Sequence, residues 1–207
     1  MVKILWARHG QNVANVTETF SYKVFDGDLT ELGKRQAAEL AERLAASSAD
    51  DPVRVLACSP LRRARQTAQI VGSVLGLPVA MELDDLRELN VGVLDGRSDP
   101  DAWLNYHQVL AAWKAGDTHV RFPGGEDRDD LCMRLRRALL TIADLSAGAT
   151  ALVVAHGASL RAALPCLAAE EDPGTDLPTG AVASLQLDPS HPDAAVQLLS
   201  WPTTGTR

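Results

Sequence analysis

Val2-Lys3-Ile4-Leu5-Trp6-Ala7-Arg8-His9-Gly10 decides the reading of this chain. Residues 2–7 form a short, nearly continuous apolar run that stops at an arginine, a histidine and a glycine. Such a run, with β-branched members, is a strand covered on both faces, as in parallel sheets clad by helices. Two later runs repeat the design. Residues 53–58 lead into Ser59-Pro60-Leu61-Arg62-Arg63, and residues 150–155 lead into His156-Gly157-Ala158-Ser159. In an open α/β sheet, ligands bind beyond the carboxyl ends of the strands. Taken as adjacent parallel strands, these three deliver two histidines and at least two arginines to one edge.

Helical stripes separate the runs. Ala37, Leu40, Ala41 and Leu44 share one face; Leu61, Ala64, Ala68, Val71 and Leu75 mark a second. Leu131, Leu135, Ala138, Ile142 and Leu145 mark a third, and Trp103, Tyr106, Leu110 and Trp113 a fourth. All follow i, i+3, i+4, i+7 spacing. The fourth is expected to cover one end of the sheet. Residues 182–187 and 196–201 read as late strands joined by a Pro-rich loop at 188–193. The alternation predicts an α/β fold, a three-layer sandwich whose mainly parallel central sheet is flanked by helices, with right-handed crossovers. Residues 84–101 and 115–130, rich in Asp, Gly, Arg and Pro, read as loops or lids. The chain is expected to be a single domain over 1–207, with 84–130 as its insert.

Composition sets outer limits. Among 207 residues, 20 Lys and Arg face 27 Asp and Glu, a net charge of −7, which argues against a general nucleic-acid binder. With 46% hydrophobic and 23% charged residues, global disorder is excluded. Cys58, Cys132 and Cys166 are odd in number and form no CxxC, so neither a disulfide framework nor a zinc ribbon is expected. The apolar part of the N-terminal run is too short for a signal-peptide core, and no stretch approaches a membrane span. These features predict a soluble, cytoplasmic protein with no membrane partner.

The expected sheet edge is cationic in an acidic chain. Arginine forks match phosphate or carboxylate oxygens. Gly157, Ala158 and Ser159 would open a helix and add free backbone N–H groups. A phosphoryl group is therefore the expected ligand. One neutral imidazole can attack phosphorus, while a second stays cationic and binds developing charge.

These residues resemble the histidine phosphatase superfamily, which includes cofactor-dependent phosphoglycerate mutases, and the resemblance covers most of the chain. Arg8-His9-Gly10 looks like its signature, with Asn15 following. Leu29-Thr30-Glu31-Leu32-Gly33 with Gln36-Ala37, and Ser59-Pro60-Leu61-Arg62-Arg63-Ala64 with Gln66-Thr67-Ala68, are similar to two more of its elements. Leu86-Arg87-Glu88-Leu89 with Gly92 resembles its acidic loop, Pro123-Gly124-Gly125-Glu126 its PGGE loop, and Ala155-His156-Gly157 with Arg161-Ala162 its second-histidine motif. Arg-His-Gly alone is a weak signal; six motifs in order are a strong one.

The resemblance implies a phosphoglycerate mutase-like fold and a role for each matching residue. His9 is the nucleophile that forms phosphohistidine. Arg8, Arg63 and His156 surround the phosphoryl oxygens. Arg63 rather than Arg62 aligns with the family arginine. Glu88 donates the proton to the leaving oxygen and then serves as base for water, so its pKa is expected to be raised by burial or a carboxylate neighbour. His9 should hold its tautomer through a backbone carbonyl. Asn15, Gln11, Gly157 and Ala158 are expected to touch the substrate, a small phosphorylated metabolite. No metal or cofactor is expected. Compactness between the second arginine element and the second histidine favours hydrolysis, whereas Ala158-Ser159-Leu160-Arg161 resembles the mutase version. A non-catalytic binding module is the least favoured alternative, since nucleophile, acid and arginines are all present.

Blander readings stand beside these. A single histidine at a strand end is more often structural, and Glu88 sits in a charged stretch. Asn15 can simply cap or turn the chain. His107, His119 and His191 lack motif context and read as surface residues. The Trp103–Trp113 stripe reads as core packing, and Cys58 as a small buried hydrophobe. Cys58, Asn12, Asp127 and Val93-Leu94-Asp95-Gly96 depart from the commoner family residues and leave the substrate pocket open. A homodimer is the default expectation for a soluble assembly.

Overall fold

The opening run becomes β1 (Val2–Arg8). The computed structural model describes residues 1–47, 51–168, 173–190 and 196–202. After β1 come a single helical turn α1 (Val13–Val16), α2 (Glu31–Ser47), β2 (Val53–Cys58), α3 (Arg62–Leu75) and the two-residue β3 (Met81–Glu82). Then follow α4 (Pro100–Lys114), α5 (Arg128–Ser146), β4 (Thr150–Ala155), α6 (Gly157–Leu167), β5 (Val182–Leu187) and β6 (Gln197–Ser200). The sheet order is β3-β2-β4-β1-β5-β6. β1, β2, β3 and β4 run parallel, while β5 is antiparallel to β1 and β6 to β5. The three runs that carry chemistry are thus adjacent, parallel and open at the same edge.

Alternation along the strands builds the two outer layers. Ile4, Trp6, Ala151 and Val153 point into a core closed by α5, α6 and α4. Ala7, Leu152 and Val154 point the other way, into a core closed by α2 and α3. Every residue of β4 is buried, as a central strand covered on both faces requires.

Three expectations change. Residues 84–101 are loop only in backbone: Leu86, Leu89, Val91 and Leu94 are buried in the core, so most of this stretch is packed structure rather than a lid. α4 and α5 also begin inside the stretches read as loops. Asp99 and Asp127 cap them, each accepting the backbone N–H three residues on, at 3.1 and 2.9 Å. Acidic capping residues look like loop composition in a bare sequence. Finally, Cys132 and Cys166 form a disulfide between α5 and α6, with Cα atoms 6.4 Å apart. Sequence spacing hides this pair because helix packing brings the two together, which corrects the expectation drawn from the odd cysteine count. Cys58 is free and buried, and burial pushes its thiol up to about 12.

Among the described residues, no helix is long and apolar enough to cross a membrane. His191 and part of the 188–193 loop lie outside the described residues.

Candidate active site

The turn after β1 is pressed against the start of α2. A Cβ on Gly10 would lie 2.2 Å from the Gly33 carbonyl oxygen, and one on Gly33 would lie 1.9 Å from that of Gln11. Only glycine fits either side of this approach. The surrounding motif residues then clamp the backbone. Gln11 N–H donates to Gln36 Oε1 (2.8 Å), Leu29 N–H to Gln66 Oε1 (2.8 Å), and Gly10 N–H to Thr67 Oγ1 (3.1 Å). Their work is to hold His9 still.

His9 is 2% exposed. Its Nδ1 lies 2.7 Å from the Gly10 carbonyl oxygen, so Nδ1 carries the proton and donates. Its Nε2 accepts from Nε–H of Arg63 at 3.0 Å. Burial first, then the charges of Arg63 and Arg8, hold its pKa well below 6.5. The ring is therefore neutral near pH 7, with its lone pair on Nε2. The expected tautomer lock is present.

His156, fully buried, lies with its ring centroid 5.2 Å from that of His9 at an interplanar angle of 62°. Its Nε2 meets Ser59 Oγ at 2.8 Å, and its Nδ1 has no partner among the described residues. Burial, then Arg63 and His9, hold its pKa well below 6.5. The expectation of a standing imidazolium is corrected: burial, reinforced by the neighbouring arginines, favours the neutral ring of His156.

Arg63 is 3% exposed and fixed by three directional bonds, to His9, to Ser21 Oγ (2.9 Å) and to the Ser21 carbonyl (3.0 Å). Burial lowers its pKa to about 10, so it remains cationic. Arg8 donates through Nη1 to the Leu177 carbonyl at 2.6 Å, and its buried Nε has no partner among the described residues. Arg62 instead faces Asp28 at the surface.

Glu88 is half-buried, and its Oε1 accepts N–H groups of Ser159 (2.7 Å) and Leu89 (3.0 Å). One free N–H at the start of α6 is thus taken by this carboxylate. The contacts that hold it are these two backbone donors.

Arg8, His9, Asn15, Arg63, Glu88 and Ala158 all line one cavity of about 130 Å³. Asn15 also forms a reciprocal cap with Asn12: Asn12 N–H donates to Asn15 Oδ1 at 3.0 Å, and Asn15 N–H to Asn12 Oδ1 at 3.3 Å. Gly157 lines an adjoining cavity of about 980 Å³, which shares Arg8, Trp103, Tyr106 and Ala158 with the smaller one. Gln11 lines neither. Its Oε1 accepts from Thr30 Oγ1 at 2.9 Å, which ties the side chain to the residue that precedes α2.

Other expectations shift too. Trp103 and Tyr106 pack on the core and also form cavity wall. His107 is exposed yet lines the larger cavity, while His119 is exposed and sits 3.2 Å from Asp129. Sequence reading missed Ser21 and Ser59, and it missed Arg134, which grips the Glu88 segment through the carbonyls of Asp85, Arg87 and Glu88. Ser59 was legible as part of a motif, whereas Arg134 gave no local signal. Among the described residues, no three His, Cys, Asp or Glu side chains gather to hold a metal ion.

Comparison with known proteins decides the family. The model of the histidine phosphatase superfamily (branch 1) matches residues 4–198. The chain belongs to the histidine phosphatase superfamily. Among its superfamily relatives, a probable phosphoglycerate mutase GpmB of Photorhabdus laumondii is 33% identical over 166 residues, 77% of this chain and 72% of the relative. The metal-independent phosphoserine phosphatase of Arabidopsis thaliana is 32% identical over 163 residues, 78% of this chain and 67% of that one. The structure of a mycobacterial glucosyl-3-phosphoglycerate phosphatase superposes with a TM-score of 0.78 at 25% identity, covering 96% of this chain and 98% of the other. The histidine phosphatase fold is thereby shared across nearly the whole chain.

Proposed function

We propose that this protein is a metal-independent phosphomonoesterase acting through a phosphohistidine at His9. The observation that carries the reading is the protonation of His9: Nδ1–H is spent on Gly10, which leaves the Nε2 lone pair inside a cup of cationic groups. Nε2 attacks phosphorus, the phosphorus–oxygen ester bond breaks, and Glu88 gives its proton to the departing oxygen. Two N–H groups engage Oε1, so the other carboxyl oxygen, Oε2, is the one that carries the proton. Water then attacks phosphorus, Glu88 takes the proton, and the phosphorus–nitrogen bond breaks to release phosphate and restore His9. Arg8, Arg63 and Nδ1–H of His156 stabilise the charge spread over the equatorial oxygens. The two arginines supply the positive charge, and the proposal calls for no cofactor. Asn15, Gly157 and Ala158 contact the bound ester.

The phosphatase relatives support this reading. A phosphoglycerate mutase-type transfer, returning the phosphoryl group to the substrate, is the second reading, and the GpmB likeness favours it. Steady-state assays separate the two. Phosphate release from p-nitrophenyl phosphate and metabolite phosphates, in chelator and without bisphosphoglycerate, is the expected result. Isomerisation of 3-phosphoglycerate at a far higher rate than any hydrolysis overturns it.

A further inference from the structure

The larger cavity is much bigger than a three-carbon phosphate ester needs. At roughly 1.5 Å per residue, its walls extend about 16 Å along α4 from Trp103 to Lys114 and about 10 Å along α6 from Ala158 to Pro165. It adjoins the phosphoryl cup: Arg8, Trp103, Tyr106 and Ala158 line both spaces. At about 980 Å³ it has the size of a cavity for a drug-sized molecule.

Its chemistry is selective. The α4 wall carries Trp103, Tyr106, Leu110 and Trp113 beside His107 and Lys114; the α6 wall carries Ala158, Ala162 and Pro165 beside Arg161. Among the described residues, none that lines it is Ser, Thr, Asn or Gln. Its polar groups are the charged ends of Arg8, Lys114, Arg128, Arg161 and Asp176 together with His107, so a sugar hydroxyl laid against the apolar rings between them would lack a partner there. A flat aromatic body would lie against rings that favour stacked and edge contacts. Charge adds a direction. Arg161 is paired with Asp176 at 2.6 Å, while Lys114 and Arg128 bring two further cations to the lining.

We propose that this cavity holds the leaving group of the substrate, and that this group is an aromatic or heteroaromatic body bearing an anion at its far end. The inference rests on the phosphomonoesterase reading above. It narrows that reading to aryl-bearing phosphate esters, as against short hydroxy-acid phosphates or sugar phosphates.

The test compares hydrolysis of phosphoserine, glucose 6-phosphate, phenyl phosphate, 2-naphthyl phosphate and a carboxylate-bearing 2-naphthyl phosphate. Phenol and naphthol are similarly acidic, so their esters differ chiefly in the surface they offer. The expected kcat/KM is at least about 10-fold higher for the naphthyl than the phenyl ester, and higher again with the carboxylate. Ala111, an exposed position of α4 that lines the cavity, supplies a variant that spares the cup. Ala111→Trp should lower kcat/KM for both naphthyl esters about 10-fold and leave phenyl phosphate unchanged. Lys114→Glu should cut only the preference for the carboxylate. Equal rates on phenyl and naphthyl esters, a preference for glucose 6-phosphate or phosphoserine, or indifference of naphthyl hydrolysis to Ala111→Trp overturns this inference while leaving the phosphatase reading intact. Failure to hydrolyse any of the esters overturns both.

Discussion

Arg63 donates its Nε–H to Nε2 of His9 across 3.0 Å, so a guanidinium rests on the lone pair assigned to phosphoryl attack. The contact aims the imidazole and keeps it neutral, and in the reaction Arg63 must transfer that donor to a phosphoryl oxygen. Arg63→Ala is expected to lower kcat by about 10²–10³. Arg63→Lys should not restore it, because an ammonium cannot hold His9 and both Ser21 acceptors in one plane. Removing this cation should also let the His9 pKa rise, moving the acid limb of the rate profile to higher pH. A wild-type rate in Arg63→Lys contradicts this role.

The two buried imidazoles predict how stability depends on pH. Both are held well below 6.5 in the folded chain, so the unfolded chain binds more protons as pH falls past its own value near 6.5. Stability from the neutral rings is fully present above that value and is lost as pH falls from it toward the lowered folded values. Within that window the slope approaches about 1.4 kcal/mol per pH unit for each histidine. Urea unfolding at pH 5.5, 6.0, 6.5 and 7.5 measures it, and replacing one of the two histidines should roughly halve the slope. A stability profile flat from 7.5 to 5.5 would count against buried neutral imidazoles.

Arg134 ties the Glu88 segment to the PGGE loop. Its guanidinium meets both Glu126 carboxylate oxygens at 2.8 Å and three carbonyls of residues 85–88. The ion pair is largely buried, so Arg134→Leu should cost about 3–5 kcal/mol by stranding Glu126. The double change Arg134→Leu with Glu126→Leu should recover part of that loss in thermal melts. Turnover should stay low in both variants, since Glu88 loses its support. Full activity in the double variant separates this clamp from catalysis.

Ser59 sets the proton of His156. Its Oγ accepts Leu61 N–H at 3.3 Å and lies 2.8 Å from His156 Nε2; with the hydroxyl proton given to that nitrogen, the ring's own proton sits on Nδ1. Ser59→Ala is expected to lower kcat about tenfold with little change in KM, and Ser59→Thr to restore much of it. A loss confined to KM would place Ser59 outside the transition state.

The β1, β2 and β4 runs were legible because central strands have no polar face to break their apolarity, and their ends announced His9, Arg63 and His156. Glu88 followed from motif order. The rest needed the fold. Cys132 meets Cys166 only once α5 packs on α6. The tie between Thr30 and Gln11 needs the chain to fold back, and the 84–101 stretch hides four core residues among charges. The second role of Trp103 and Tyr106 was invisible as well, since a helical stripe cannot say which of its rings will border a cavity.

The claim on which the account turns is a covalent bond between phosphorus and Nε2 of His9. Rapid acid-free quenching after mixing with a 32P-labelled monoester, followed by peptide mapping, tests it directly. The account predicts a base-stable, acid-labile label on the peptide bearing His9, absent from His9→Ala, which should still bind phosphate. An acid-stable label, a label on another residue, or undiminished turnover by His9→Ala contradicts it.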